Sequence, residues 1–485
     1  MNRYIIVGGG ISGLSAAYYA RKNDPDAQIT LLEAGDRWGG KISTDRVPFD
    51  HGQFIIEGGP DTFLATKPWG TGLCKELGLT ERLHGTNQEH KNTYVLHNDR
   101  LLPLPDGLAM MIPTNIQAIL KSRLISLPGK ARMGMDFLIP PRPNQGDESL
   151  GSFVSRRLGR EAYENLIEPL MSGIYAGDGD RLSLAGTFPY LRDLELKYGS
   201  LARGALHMRR KMPSSPGSRS AFLTPTTGLM EIVEALVHQL EGVDLRLNTR
   251  VTGITQWGSK FNVGIAGGKN LEAENIILAT PAGTSGALLG AIHQTLAEDL
   301  RSIPHASTST ITLAYRQEDL PRPLDGYGYV IPRQEGRHAL ACTWTSTKFP
   351  HRAPQGFALI RVFVGRAGQE IHWDETSLLA IAREELLLTL GIHAEPLLTR
   401  TFIWEDAMPQ YNLGHPQLVQ RIESTLMKIP GLSLAGNGYR GIGIPDCIHS
   451  GELAVQKILS DRRVGNADVF PTHLREEIPE SRERV

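Results

Sequence analysis

The stretch Tyr4-Ile-Ile-Val-Gly-Gly-Gly-Ile-Ser-Gly13 decides the fold of this chain. Its apolar residues predict a short buried strand, and residues 14–20 (Leu-Ser-Ala-Ala-Tyr-Tyr-Ala) predict a helix immediately after the glycines. The spacing between them is G-x-G-x-x-G, which permits a tight turn, close approach of a pyrophosphate and close packing of the helix on the strand. This spacing identifies three candidate dinucleotide contacts, Gly8, Gly10 and Gly13.

An acidic residue at the right distance strengthens that interpretation. Residues 28–32 predict a second strand that runs into Glu33, 20 residues after Gly13, where a carboxylate would meet a ribose hydroxyl. The alternative is a purely structural strand-turn-helix unit with a solvated glutamate. Because the N-terminus of a helix offers free N–H groups to phosphate, the neighbouring candidates are Ile11, Ser12 and Ala34.

Composition excludes several classes of protein. The chain has 485 residues, 40% hydrophobic and 21% charged, with a net charge of −1, so nothing global indicates nucleic-acid binding. Its three cysteines are scattered and argue against a disulfide framework. We find no metal-binding motif, no signal peptide before the first strand and no apolar run long enough to span a membrane. A cytoplasmic protein is expected, either free or peripheral to a membrane.

A second glycine pair follows the first motif. In Glu33-Ala-Gly-Asp-Arg37-Trp-Gly39-Gly40-Lys41, the glycines bring backbone close to something flat or anionic and Arg37 supplies charge. This string resembles the family of FAD-dependent amine oxidases, carotenoid desaturases and protoporphyrinogen oxidases, in which it covers the dinucleotide. The alternative is a glycine-rich surface loop.

Two further strings resemble the porphyrinogen oxidases, in particular their soluble bacterial branch. One is Gly58-Gly-Pro-Asp-Thr-Phe-Leu-Ala-Thr-Lys67, which in the family passes beside the isoalloxazine ring. Many relatives carry a basic residue where Asp61 stands, so Lys67 becomes the candidate for a propionate contact, with a solvated lysine as the alternative. The other is Ser172-Gly-Ile-Tyr-Ala-Gly-Asp178, where the resemblance implies that Ile174 and Tyr175 face a tetrapyrrole. The first string adds the cofactor candidates Gly58, Gly59, Pro60 and Asp61.

The C-terminal part repeats the pattern of strand, glycine loop and helix. Within Gly436-Asn-Gly-Tyr-Arg-Gly-Ile-Gly443-Ile-Pro-Asp-Cys447, the family directs a helix N-terminus at the pyrimidine end of the flavin. Covalent attachment through Cys447 is an alternative, but a packed cysteine is the expected role. The resemblance implies further cofactor contacts at Val251, Ala279, Trp404, Gly436, Gly443 and Ile444.

The predicted fold class is α/β and α+β: a Rossmann-like FAD-binding domain built from discontinuous segments, a mixed-sheet substrate domain and a helical domain. The FAD-binding domain is assigned to residues 1–56, 221–290 and 400–460, with residues 243–251 read as one strand. The substrate domain is assigned to residues 57–91, 200–220 and 291–399, in which 201–220 is expected to be a linker or mobile loop. Residues 92–199 form the helical domain, and residues 461–485 form a disordered tail.

The helical domain carries basic residues beside apolar stretches: Lys121, Arg123, Lys130 and Arg132. Such a region can lie on a membrane surface, although a helical domain with solvated charges is the expectation we favour.

The resemblance implies the activity. It implies non-covalent FAD, three flavin cycles that remove six electrons from a porphyrinogen, hydride transfer to flavin N5, and reoxidation by molecular oxygen to hydrogen peroxide. No catalytic acid or base is identified, because flavin accepts the hydride and the protein orients the substrate. Coproporphyrinogen III is the expected substrate and other haem-pathway enzymes are expected neighbours. The alternatives are protoporphyrinogen IX, an amine oxidase or carotenoid desaturase activity, and a non-catalytic porphyrin-binding flavoprotein.

Overall fold

The computed structural model describes residues 2–50, 52–109, 112–113, 115–143, 146–211 and 220–467. A parallel five-stranded sheet contains the opening strand at its centre, flanked by strands from three other parts of the sequence. Strong apolar runs form these strands because both faces of a parallel sheet are covered. The strands in spatial order are Asp244–Arg246, Gln28–Leu32, Arg3–Val7, Asn275–Leu278 and Leu432–Leu434.

A mixed seven-stranded sheet forms the second layer of the molecule. One face packs on the helix Glu375–Leu390, through alternate apolar residues such as Ile311, Leu313 and Val362. The opposite face carries polar side chains such as Thr310, Thr312 and Arg361. The strands in order are Leu398–Pro409, His305–Arg316, Phe357–Val364, Ala339–Trp344, Gly326–Val330, Asn92–His97 and Arg100–Pro103.

Smaller strands and the helices complete the fold. Two small sheets have two strands each: Thr44–Phe49 with Gly52–Glu57, and Leu108–Ala109 with Ile112–Pro113. Two others have three strands each, in spatial order Phe63–Leu64, Phe222–Pro225 and Leu83–Gly85, and Val251–Trp257, Lys260–Ile265 and Leu271–Ala273. The helices of the parallel-sheet layer are Ile11–Asn23, Pro68–Glu76, Met230–Gln239, Ala282–Leu288, Gln294–Arg301, His415–Leu426 and Ile444–Ala467. Thr345–Lys348 is a single turn beside the seven-stranded sheet.

A helical layer lies between residues 116 and 211. Serine and asparagine side chains cap several of its helices by accepting a hydrogen bond from a first-turn N–H, as Ser126 does from Gly129 and Ser149 from Ser152. Its helices are Ile116–Lys121, Leu127–Gly134, Leu150–Leu158, Arg160–Ala162, Glu168–Tyr175, Leu184–Thr187, Pro189–Tyr198 and Leu201–Lys211, with Tyr163–Ile167 π-helical. Helices therefore account for most of the described residues between 116 and 211.

Four details of the sequence-based assignment are wrong. Residues 201–211 are a helix rather than a linker, because Leu201 and Ala205 are buried in the helical core; residues 212–219 lie outside the described part of the chain. Residues 243–251 are not one strand, since Asn248 adopts a positive φ of 51° and turns the chain between two sheets. Helix Ile444–Ala467 extends into the predicted tail, whose residues 468–485 are not described.

The fourth detail concerns the edges of the seven-stranded sheet. Residues 92–103, expected to be helical, form two of its strands by pairing with Gly326–Val330 and with each other. Residues 400–409, assigned to the FAD-binding domain and including Trp404, lie in strand Leu398–Pro409 of the same sheet. In both cases long-range pairing with another strand determines the structure, and local composition carries no sign of it.

Candidate cofactor and substrate site

The glycine turn has the geometry that its spacing predicts. A Cβ on Gly13 would lie 1.9 Å from the Gly8 carbonyl oxygen, and a Cβ on Gly8 would lie 2.7 Å from the Ala279 carbonyl oxygen. At Gly10 the space is open, with Gly40 Cα at 3.9 Å as the nearest atom. Two glycines therefore serve internal packing, whereas Gly10 faces free space beside the helix N-terminus formed by Ile11 and Ser12.

Glu33 is held by the same turn. Its Oε2 accepts the Gly9 N–H at 2.6 Å and its Oε1 accepts the Gly35 N–H at 2.8 Å. The Thr249 N–H donates to the Glu33 carbonyl oxygen at 2.7 Å, two residues before Val251 begins the neighbouring three-stranded sheet. Ala34 is exposed next to it. Glu33 is thus bonded to the glycine turn, and Val251 follows two residues after its neighbour Thr249.

The second glycine pair folds over the first. The Gly39 N–H donates to the Gly9 carbonyl oxygen at 2.9 Å, and Gly40 has a positive φ of 57°. Arg37 fixes this loop by donating to the carbonyl oxygens of Gly40 at 2.7 Å and Ile42 at 2.9 Å. Burial lowers the pKa of Lys41, which extends toward Cys447.

The C-terminal helix approaches from the other side. Helix Ile444–Ala467 runs parallel to helix Ile11–Asn23, with Cys447 beside Ser12 and Gly451 against Ala16. Burial raises the pKa of the Cys447 thiol to about 11, so it is not a thiolate at neutral pH. Gly436 has a positive φ of 129° and open space where a Cβ would project, and the Gly443 N–H lies next to the first turn of the helix.

The Gly58 to Asp61 loop joins this groove to the seven-stranded sheet. A Cβ on Gly59 would lie 1.9 Å from the Lys41 carbonyl oxygen. The Gly58 carbonyl oxygen accepts hydrogen bonds from Trp404 Nε1 and Thr310 Oγ1, both at 2.8 Å. The open space at Gly10 and Gly436 and the N-termini of helices Ile11–Asn23 and Ile444–Ala467 lie at the carboxyl edge of the parallel sheet, and we call them together the cofactor groove. Free N–H groups and positive helix ends of this kind suit a dinucleotide with an anionic centre.

The three substrate candidates have different environments. Ile174 is 44% exposed, whereas Tyr175 is buried with its ring against Phe188 and Tyr411. Lys67 Nζ forms an ion pair with Asp446, 2.6 Å from each carboxylate oxygen, at the start of the C-terminal helix. Ile174 is therefore accessible from outside the protein, whereas the Tyr175 side chain is part of the core.

The sequence did not reveal a group of buried and half-buried charges around Asp61. We call it the charged cluster: Glu57, Asp61, Lys348, Arg352 and Arg361. Arg352 pairs with Glu57 at 3.0 Å and donates to the Asp61 carbonyl oxygen at 3.1 Å, and Lys348 pairs with Asp61 at 2.9 Å. Arg361 donates to the Gly59 carbonyl oxygen.

The pKa values in the cluster follow from burial and from these neighbours. Burial raises the pKa of Glu57 despite Arg352 beside it. Burial also opposes ionisation of Asp61, but Lys348, Arg361 and Arg352 outweigh it and hold the pKa of Asp61 far below its usual range. An arginine inside the otherwise apolar strand Phe357–Val364 is the sequence signal that could have identified this cluster.

No helix among the described residues is both long and apolar enough to cross a bilayer.

Comparison with known proteins agrees with this geometry. Residues 11–459 match the family model "Flavin containing amine oxidoreductase". The chain is 37% identical to coproporphyrinogen III oxidase of Bacillus subtilis, over 94% of this chain and 97% of that protein. It is 29% identical to chloroplastic protoporphyrinogen oxidase 1 of Arabidopsis thaliana, over 93% and 87%.

A solved structure has the same fold. The crystal structure of a protein from Exiguobacterium sp. 255-15, provisionally described as a protoporphyrinogen oxidase, superposes with a TM-score of 0.83 at 35% identity, covering 94% of this chain and 98% of that one. The predicted FAD-oxidase resemblance is thereby confirmed, and this chain belongs to the flavin-containing amine oxidoreductase family, in the group that contains the bacterial coproporphyrinogen III oxidases.

Proposed function

We propose that this protein is an FAD-dependent coproporphyrinogen III oxidase that uses molecular oxygen and releases hydrogen peroxide. The observation that carries the proposal is the 37% identity to the Bacillus subtilis enzyme over 94% of the chain, against 29% to the plant protoporphyrinogen oxidase. The reaction converts one porphyrinogen and three oxygen molecules into one porphyrin and three molecules of peroxide. Protoporphyrinogen IX is the second candidate, since plant relatives that bear its name align over nearly the whole chain.

The groove between the two helix N-termini is the proposed site of non-covalent FAD. Gly10 and Gly436 leave room for the cofactor, and the helix ends favour its negative charges. When bound, FAD takes up the electrons of the porphyrinogen and passes them to oxygen. The residues proposed to contact it are Gly8, Gly10, Ile11, Ser12, Gly13, Glu33, Ala34, Arg37, Gly39, Gly40, Lys41, Gly58, Gly59, Pro60, Asp61, Val251, Ala279, Trp404, Gly436, Gly443 and Ile444.

The protein's own contribution is to orient the substrate and exclude water. The exposed Ile174 offers an apolar contact to the substrate, and the next residue, Tyr175, is fixed in the core against Phe188 and Tyr411. Lys67 retains a side-chain exposure of 38% and stays a candidate for a propionate contact, although Asp446 already balances its charge. No residue is proposed as a catalytic acid or base.

Porphyrin fluorescence tests the proposal directly. The FAD-loaded protein is mixed in air with freshly reduced coproporphyrinogen III and, separately, with protoporphyrinogen IX. We expect faster porphyrin formation from coproporphyrinogen III. Equal rates would contradict the choice of substrate, and no porphyrin from either would contradict an oxidase and favour a non-catalytic porphyrin-binding flavoprotein. Turnover of amines or carotenoids in a parallel screen would favour the remaining alternative.

We also propose that the helical layer contacts a membrane surface. Leu127 and Leu138 are 80% and 81% exposed, and Leu120 is 60% exposed. The basic residues Lys121 and Arg123 are exposed on the same segment. Exposed leucines beside basic residues are typical of interfacial binding. Cosedimentation with anionic vesicles tests this, and the double variant Leu127→Glu/Leu138→Glu is expected to abolish it without loss of oxidase activity.

A further inference from the structure

The charged cluster is not electrically balanced. It contains two carboxylates, Glu57 and Asp61, and three cationic side chains, Lys348, Arg352 and Arg361. The pKa of Asp61 lies far below its usual range, so this carboxylate stays ionised. With both acids ionised the cluster still carries one excess positive charge.

The excess charge is poorly satisfied inside the protein. Arg352 and Arg361 are 0% and 3% exposed. Among the described residues, Arg352 Nε and Nη1 and Arg361 Nε have no hydrogen-bond partner. Burial lowers the pKa of Arg361 to about 10, as expected for a cation with too little compensation. A further anion nearby would therefore be stabilised by the cluster.

Two members of the cluster reach solvent. The side chains of Asp61 and Lys348 are 18% and 16% exposed. Lys348 Nζ has three N–H donors, and Asp61 is its one carboxylate partner within the described part of the chain. Lys348 therefore has donors left for a second carboxylate that approaches from solvent while its pair with Asp61 is kept.

The cluster meets the seven-stranded sheet at Arg361, on the face opposite helix Glu375–Leu390. Arg361 stands opposite Thr312 and Thr343, and Phe363 shares its face two residues further along the strand. Phe363 packs with the small apolar group of Ala176, Leu340 and Ala341. Ala176 directly follows Ile174 and Tyr175, so the cluster and the tetrapyrrole candidates belong to the same region of the structure.

We propose that Lys348 binds one carboxylate of the tetrapyrrole substrate, with Arg352 and Arg361 supplying the buried positive charge behind it. Asp61 then weakens the attraction and keeps it reversible. This inference rests on the proposed function, because it names the part of the porphyrinogen that the site recognises. A merely structural ion pair between Lys348 and Asp61 is the competing explanation.

Opposite charge changes separate the two explanations. In FAD-loaded protein, Lys348→Met removes a cation and Asp61→Asn removes an anion. The ligands are coproporphyrin III and its tetramethyl ester, which lacks carboxylates, and binding is followed by porphyrin fluorescence in one detergent buffer. Lys22→Met, in a lysine paired with Glu76 on the surface, is the matched control.

We expect Lys348→Met to weaken coproporphyrin III binding by about tenfold and Asp61→Asn to strengthen it by several-fold, with both effects reduced by salt. Binding of the ester should be unchanged in both variants. If both variants weaken binding of both ligands equally, the pair is structural and the proposal fails. Porphyrinogen turnover by the wild type is measured separately, so failure of the oxidase assay is distinguishable from failure of this inference.

Discussion

The cofactor groove and the charged cluster are adjacent, but the groove consists mainly of backbone and the cluster of charged side chains. The groove consists mainly of backbone atoms in glycine turns and helix N-termini. A side chain added at one of these glycines would either collide with a carbonyl oxygen or fill the open space. The cluster is made of charged side chains brought together from residues 57, 61, 348, 352 and 361. A backbone site suits a cofactor that remains bound. A site made of paired charges can discriminate among substrates through the number of their carboxylates.

Loss of one member of the cluster should have the largest effect on stability. Arg352→Met leaves Glu57, which is 1% exposed at its side chain, without its cation. We expect the free energy of unfolding to fall by about 3–5 kcal/mol, measured by denaturant unfolding of the holoprotein. Adding Glu57→Gln should restore part of the loss, because the uncompensated charge is then gone.

The matched control for that variant is a surface pair of the same chemistry. Arg440 and Glu423 are 63% and 47% exposed, so Arg440→Met should cost no more than about 1 kcal/mol. If Arg352→Met and Arg440→Met lower the free energy of unfolding equally, burial does not determine how much the Arg352–Glu57 ion pair contributes to stability.

Adding one methyl group at Gly13 should disrupt the cofactor groove. Gly13→Ala places a Cβ against the Gly8 carbonyl oxygen, which must move, so we expect a loss of about 1–3 kcal/mol and reduced FAD content. FAD absorbance per protein and thermal unfolding measure both quantities. Gly72→Ala has no atom within 4 Å of the new Cβ and should retain full FAD content.

Acidic pH should destabilise the fold through His351, which lies beside the charged cluster. His351 lies beside His84 and Arg352, and burial, with those two neighbours, lowers the pKa of His351 to about 4. The unfolded chain binds a proton near pH 6.5 and the folded chain does not, so stability should fall as the pH drops from about 6.5 to about 4. His351→Phe should show a shallower decline in thermal unfolding temperature over this interval. An identical decline would show that His351 is not responsible.

The smallest effect is expected where the two regions meet. Trp404→Phe removes the indole hydrogen bond to the Gly58 carbonyl oxygen, which keeps its bond from Thr310. Because one donor remains, FAD affinity should fall by about 0.5–1.5 kcal/mol, measured by FAD titration of deflavinated protein. Complete loss of FAD binding would mean that Trp404 has a contact beyond this hydrogen bond.

The glycine turn of the cofactor groove could be predicted from the sequence because the residues that form it are close together in the chain. Gly8, Gly10 and Gly13 lie within six residues, and their packing is determined by the strand and helix on either side. The same reasoning predicted a mixed sheet within residues 291–399, where four strands of the seven-stranded sheet lie: His305–Arg316, Gly326–Val330, Ala339–Trp344 and Phe357–Val364. It failed at Asn248, where one residue with positive φ ends a strand inside an alternating pattern.

The charged cluster could not be predicted from neighbouring residues in the sequence. Lys348 follows Asp61 by 287 positions, and neither residue has a neighbour in sequence that reveals the pair. The helix Leu201–Lys211 was missed for a related reason: its charges suggested solvent, while Leu201 packs into a core formed by distant helices. Contacts of this kind depend on tertiary packing, which local composition does not encode.

Anaerobic titration of the holoprotein with coproporphyrinogen III tests the central claim most directly. If bound FAD takes up the six electrons, one equivalent of coproporphyrinogen III should bleach the visible flavin absorbance of three protein chains and yield one coproporphyrin III. Subsequent admission of air should restore the flavin spectrum with formation of hydrogen peroxide. Porphyrin formation without bleaching, or an unchanged flavin spectrum with no porphyrin, would contradict the account.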